Sequence, residues 1–197
     1  MDLTSFLNNK KLNIIEGYSQ QSLEQVKDLI LLTNKSNINV MEIGFNAGHS
    51  AEVFLKNNKN LILTSFDLGE HSYVKSGKEY IDNVYPNRHT LILGDSRKTI
   101  PNYIKNNKET KFDVIFIDGG HDYEIAKADM INCFHLAHKD TIIILDDTIY
   151  IKEWEKKWTK GPTRTWLEHL QQNKIIELNR KNYNIGKGMT WGKYVFK

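Results

Sequence analysis

The sequence predicts one doubly wound α/β domain, a mostly parallel sheet with helices on both faces. Three observations predict it. Short apolar runs alternate with helical patterns along most of the chain. The runs are apolar throughout, as strands buried on both faces are. And five of them close on an acid, at Glu42, Asp67, Asp95, Asp118 and Asp146, where an open parallel sheet places its ligands.

The elements follow in order. Over residues 22–33, Leu23, Val26, Leu29, Ile30 and Leu32 recur at helical spacing behind a Ser22 cap, with Gln25 three residues on as in a capping box. Ile38 to Ile43 is a strand, followed by a glycine-containing turn and a helix from about His49 to Lys56. Leu61 to Phe66 is the second strand and Tyr73 to Val84 the next helix. Thr90 to Leu93 is a short strand. Ser96 to Asn106 is a helix with Pro101 inside it, which predicts a kink or a late start. Phe112 to Ile117 is the fourth strand. The helix behind it runs from Asp122, its N-cap, to about Ala137, with Ile125, Ala126, Met130, Cys133, Phe134 and Ala137 as its apolar stripe. Thr141 to Leu145 is the fifth strand.

Beyond Asp147 the pattern changes. Tyr150 to Lys160 is charged and aromatic, Gly161-Pro162 breaks the chain, and Thr163 to Gln172 reads as a helix. Ile175 to Leu178 and Trp191 to Phe196 read as two final strands, with Gly186 and Gly188 in the loop between them. A length of 197 residues suits a single domain, 1–197. Residues 1–36 form its N-terminal segment and helix, and 148–172 a lid over an acceptor, with Trp154, Trp158, Trp166, Tyr150 and Arg164 as candidate lid residues.

Composition narrows the classes. The formal charge is +3, and the densest lysines (Lys152, Lys156, Lys157, Lys160) are interspersed with Glu153 and Glu155, so nucleic acid is not an expected partner. With no run of about 18 apolar residues and no charged-then-apolar leader, a cytoplasmic protein without a membrane partner is expected. Cys133 is the only cysteine and reads as core. Assembly into a homo-oligomer is left open.

The chemistry concentrates at two strand ends. Asp118-Gly119-Gly120-His121 closes one apolar run and Asp146-Asp147 the next. On neighbouring strands these acids share a crevice, where two carboxylates about 4 Å apart repel by roughly 4 kcal/mol at an effective dielectric near 20. Such a cluster calls for protons or a hard divalent cation. A strand-to-helix turn with a capping imidazole, and a solvated aspartate pair, are the plain alternatives. The first turn, Glu42-Ile43-Gly44-Phe45-Asn46-Ala47-Gly48-His49-Ser50, lets a ligand approach the backbone at Gly44, and Asp67 is placed to accept from two ribose hydroxyls. A dinucleotide fingerprint would want glycine where Asn46 and His49 stand, which weakens a dehydrogenase reading. His71, His89, His135, His138 and His169 carry no motif.

The Glu-x-Gly-x-x-x-Gly turn, Asp67, Gly94-Asp95-Ser96 and the two final strands resemble a class I S-adenosylmethionine-dependent methyltransferase. The acidic cluster more specifically resembles that of the metal-dependent sugar O-methyltransferases and their cephalosporin-hydroxylase-like relatives. Glu16-Gly17-Tyr18-Ser19 and Gly188-Met189-Thr190-Trp191-Gly192 resemble the opening and closing segments of that family. The resemblance implies a Rossmann-like seven-stranded sheet whose last strand is antiparallel. It implies Glu42, Gly44 and Asn46 at the methionine end of the cofactor, with help from 17–19, Asp67 at its ribose, and Asp95 and Ser96 at its adenine, read by the carboxylate or the adjacent backbone. Asp118, Asp146 and Asp147 would ligate Mg²⁺ or a similar ion, and His121 would be the general base. Asp147 stands where catechol-type enzymes carry asparagine, which favours a small-molecule sugar as acceptor. A metal-independent methyltransferase on another small molecule or on nucleic acid, and a nucleoside-binding module without turnover, are the alternatives.

Overall fold

A computed structural model describes residues 2–12 and 22–196. The elements run α1 (Leu3–Asn9), α2 (Leu23–Leu32), β1 (Asn39–Ile43), α3 (His49–Asn57), β2 (Ile62–Asp67), α4 (Ser72–Val84), β3 (His89–Leu93), α5 (Ser96–Asn106), β4 (Phe112–Ile117), α6 (Tyr123–Phe134) and β5 (Ala137–Asp146). A 3₁₀ turn at Lys152–Trp154, α7 (Lys157–Gln171), β6 (Ile175–Asn184) and β7 (Lys187–Tyr194) follow. Among the described residues no helix is long and apolar enough to cross a membrane. The segment 16–19, expected to open the fold, lies outside the described residues.

The seven strands lie in the order β3-β2-β1-β4-β5-β7-β6. Those from β3 to β5 are parallel, and β7 enters antiparallel between β5 and β6. This is the doubly wound, Rossmann-like sheet expected. Strand residues alternate between its faces. Val40, Leu63, Val114 and Ile144 pack under α1 to α4 with Leu7, Leu29, Phe54 and Ile81. Met41, Ile115, Ile143 and Leu145 pack under α5 to α7 with Ile100, Met130, Cys133 and Trp166. Cys133 is core, as expected.

The parallel register builds a common rim. Ile43 pairs with Phe66 and Ile117, and Ile117 with Leu145. One residue further on, Gly44 N donates to Phe66 O and Asp118 N to Ile43 O, each at 2.8 Å. Gly44, Asp67, Asp118 and Asp146 therefore leave the sheet side by side.

Four expectations are corrected. Ala137 begins β5 instead of ending α6, since the helix stops at Phe134 with His135 as its C-cap and Phe112 draws Ala137 into the sheet. α5 starts at Ser96, so Pro101 causes no late start. Gly161-Pro162 does not break the chain, because α7 begins at Lys157 and runs through it. Pro162 forfeits one backbone bond, but it is buried with Gly161, and Thr163 Oγ1 donates to Thr159 O at 2.6 Å in the same turns. Tertiary packing outweighs local propensity there. Finally, β6 and β7 are longer than expected and Gly188 lies within β7, where a Cβ would meet Thr148 O at 2.2 Å.

Candidate active site

The loop from β1 to α3 is shaped by three left-handed residues, Gly44, Asn46 and Gly48, with φ of 95°, 52° and 92°. At Gly44 any Cβ would lie 1.9 Å from Asp118 O, so the loop can rest on the end of β4 only with glycine there. Asn46 replaces glycine at little cost because asparagine tolerates this region best among side-chain-bearing residues. Its N–H donates to Asp67 Oδ2 at 2.8 Å, and Gly69 N–H donates to Asp67 Oδ1 at 2.7 Å. Two backbone donors thus fix the Asp67 carboxylate at the rim.

Glu42 lies behind the loop. It is fully buried under the loop, where it accepts from the Ser50 and Ser65 hydroxyls and so buttresses the loop. Burial, only partly opposed by those hydroxyls, pushes its carboxyl up to about 7. The chain of contacts continues to His89, whose Nε2 lies 3.0 Å from Ser65 Oγ and whose ring stacks on Phe45. Burial lowers both His89 and His49 to about 4.

Asp95 caps α5 by accepting from Arg97 N at 3.0 Å, and its Oδ2 lies 2.7 Å from Arg97 Nη2. The Arg97 hydrogen bonds hold its carboxyl down near 2.

At the next two strand ends, donor atoms of Asp118, His121 and Asp147 all lie within 4.8 Å of one another. His121 Nε2 is 2.9 Å from Asp147 Oδ2. Asp147 is itself left-handed, with φ of 54°, which turns the chain out of β5. Asp146, one residue earlier, is not one of these three. Both its oxygens accept from Gln25 Nε2, at 2.8 and 2.7 Å, so it stands beside the trio and not within it. The acids nevertheless feel one another. Burial first, then the charges of Asp146 and Asp147, raise the Asp118 carboxyl well above the usual carboxylate range, and Lys187 opposes them. Burial and Asp147 raise Asp146 in the same way.

Two of these residues were not foreseen. Gln25 sits at a capping-box position, but Ser22 caps the helix alone (Gln25 N to Ser22 Oγ, 3.4 Å) and the amide goes to Asp146. Lys187 comes from the far end of the chain and carries no local signal. Asp122 stands at the N-cap of α6, but its side chain makes no capping hydrogen bond. Among the lid candidates, Trp166 is buried in the core and donates to Glu177, and Tyr150 packs on Thr190 and Arg180. Trp158 and Arg164 do border a cavity of about 430 Å³ that opens beside His121.

The donor set suits one hard cation. Carboxylate oxygens of Asp118 and Asp147 within this span match ligand-to-ligand separations of roughly 3–5 Å around an ion with bonds of ~2.0–2.6 Å, with the His121 imidazole beside them.

A family model described as a methyltransferase domain matches residues 41–148, more than half of the chain and the stretch that holds every residue from Glu42 to Asp147. The chain belongs to this methyltransferase family. Solved structures agree on the fold. An O-methyltransferase from Bacillus cereus in complex with S-adenosylhomocysteine superposes with a TM-score of 0.75 at 17% identity, over 97% of this chain and 88% of that one. TomG, an O-methyltransferase from Streptomyces achromogenes involved in tomaymycin synthesis, solved with S-adenosylmethionine, gives 0.74 at 14% identity over 98% and 88%. CalS11, a TDP-rhamnose 3′-O-methyltransferase of calicheamicin biosynthesis, gives 0.67 at 17% over 97% and 90%. No curated protein matches the chain. The fold of this methyltransferase is therefore that of the class I S-adenosylmethionine-dependent enzymes.

Proposed function

We propose that this methyltransferase is a divalent-metal-dependent O-methyltransferase that moves the methyl of S-adenosylmethionine to a hydroxyl of a small molecule, a sugar. The observation that carries the proposal is the convergence of Asp118, Asp147 and His121 beside the glycine loop. The similarity to CalS11, whose acceptor is a sugar, supports the acceptor class.

The cofactor supplies an electrophilic methyl on sulfur, and a cation in the acidic trio supplies the positive charge that favours a deprotonated hydroxyl. Gly44 and Asn46 shape the seat for the methionine end. Asp67, held by two backbone donors, keeps lone pairs for the ribose hydroxyls. The backbone at Asp95 and Ser96 reads the adenine edge. Asp118 and Asp147 would hold the cation, joined by Asp146 from its place against Gln25. A cation there would offset the charge that these neighbouring buried acids otherwise hold close together. His121 receives the acceptor's proton on its imidazole, and Asp147, 2.9 Å from Nε2, orients the ring and stabilises its cationic form. The lid, residues 148–172, closes over the acceptor.

The same His121–Asp147 contact favours one competing reading, a metal-independent base pair. The test is methyl transfer from labelled S-adenosylmethionine to a panel of free sugars and vicinal diols, with and without EDTA. Transfer abolished by EDTA and restored by Mg²⁺ supports the proposal, and transfer indifferent to EDTA supports the dyad alone.

A further inference from the structure

We propose that the acceptor carries a phosphate-type anion, a monoester or diphosphate, held in the cavity beside His121 by Lys157, Lys160 and Arg164. The inference rests on the methyl-transfer reading for the identity of this cavity as the acceptor site. Nothing in the family match, which ends at residue 148, bears on it.

The cavity, about 430 Å³, lies between the start of α6 and the first two turns of α7. Lys157, Lys160, Gly161 and Arg164 fall at i, i+3, i+4 and i+7, one face of that helix. Gly161 sets the approach. A Cβ there would lie 2.1 Å from His121 O, so glycine alone lets the cationic face come down against the His121 loop.

Three carboxylates stand in or near the cavity. Asp122 lines it, Glu155 lies 3.3 Å from Lys160, and Glu168 lies 3.0 Å from Arg164 Nε and 3.4 Å from Lys127. They do not exhaust the cations. Lys157 has no partner among the described residues, and Arg164 uses only Nε on Glu168. Its guanidinium carbon is fixed 3.9 Å over the Tyr123 ring, which leaves both terminal nitrogens unpaired among the described residues. A planar, stacked guanidinium with two uncommitted nitrogens suits a bidentate oxyanion. Lys157, with Lys160 shared with Glu155 one turn on, adds charge that a phosphate or diphosphate would take up. Trp158, 45% exposed and anchored by Nε1 to Gly186 O at 3.1 Å, offers an apolar wall for the ring that bears the anion.

The probe is inorganic pyrophosphate, titrated calorimetrically into the full chain with S-adenosylhomocysteine present, at fixed ionic strength and with EDTA so that no cation can bridge it to the acids. One site is expected, with acetate binding far more weakly. Lys157→Ala and Arg164→Ala should each weaken pyrophosphate about tenfold or more, the worth of a charge-assisted hydrogen bond. Lys157→Glu, at a side chain that no fold contact needs, should abolish binding, and the remote Lys59→Ala should leave it unchanged. Affinity for S-adenosylhomocysteine, measured on the same samples, should be the same in all four. Absence of binding up to about 10 mM, or equal binding by all variants, overturns the inference. Failure of S-adenosylhomocysteine to bind the unaltered chain would strike the methyltransferase reading instead, whatever pyrophosphate does.

Discussion

Gln25 Nε2 donates to both carboxylate oxygens of Asp146, at 2.8 and 2.7 Å, joining α2 to the end of β5 across 121 positions of sequence. Both side chains are almost wholly buried. The contact restrains one of three neighbouring acids and ties the helix before β1 to the rim of the site.

Replacing Gln25 with Ala should therefore destabilise the fold by about 1–3 kcal/mol, the cost of leaving a buried polar group without its partner. Urea unfolding at neutral pH without divalent cations measures it. An unchanged midpoint would show that Asp146 finds solvent or another donor at no cost.

His121→Ala should lower turnover by about 10²–10⁴-fold, the usual worth of a positioned general base, with little change in S-adenosylhomocysteine affinity. Calorimetry and methyl-transfer rates on one preparation separate the two. Equal losses in both would refute the assignment of the base.

Much of this was legible in the sequence, for physical reasons. Strands buried on both faces must be apolar along their whole length, so Phe112–Ile117 and its neighbours stand out, and a parallel sheet carries the residue after each to a common rim. Asp118, Asp147 and His121 could be placed that way. Direction was harder. Asp146 and Asp147 are adjacent, and only the fold assigns the first to Gln25 and the second, across a left-handed turn, to His121. Glu42 ends a strand as Asp67 does, yet two serines 8 and 23 positions away draw it inward. Gly161-Pro162 reads as a breaker because local propensity disfavours both residues in helices. The requirement that α7 lie flush on His121 O exists only in three dimensions.

Glu42 makes a prediction about pH. Its carboxyl is raised from 4.5 to about 7 in the fold. The folded state then holds the proton more tightly than the unfolded one, so this contribution is complete below about 4.5 and is lost as pH rises through 7. The loss should reach about 3 kcal/mol. Buried His49 and His89, lowered to about 4, act oppositely, removing stability as pH falls below 6.5. The difference between Glu42→Gln and the unaltered chain isolates the glutamate. Unfolding midpoints at pH 5 and pH 8 should show the substituted protein gaining, relative to the original, at the higher pH. A pH-independent difference would mean that Glu42 is ionised throughout.

Gly161→Ala should cost about 1–3 kcal/mol, as overpacking does, because the new methyl meets His121 O at 2.1 Å. It should also reduce methyl transfer by displacing the loop that carries His121. Thermal unfolding and rate measurements check both effects. A stable, fully active variant would show that α7 can lift without disturbing the site.

The most direct measurement is Mn²⁺ binding followed by electron paramagnetic resonance on the complex with S-adenosylhomocysteine, for the unaltered chain and for Asp118→Asn and Asp147→Asn. One tightly bound ion per chain, lost or greatly weakened in both variants while S-adenosylhomocysteine still binds, is the expected result. No bound ion, or an ion indifferent to both substitutions, would contradict a cation held by the acids at the ends of β4 and β5.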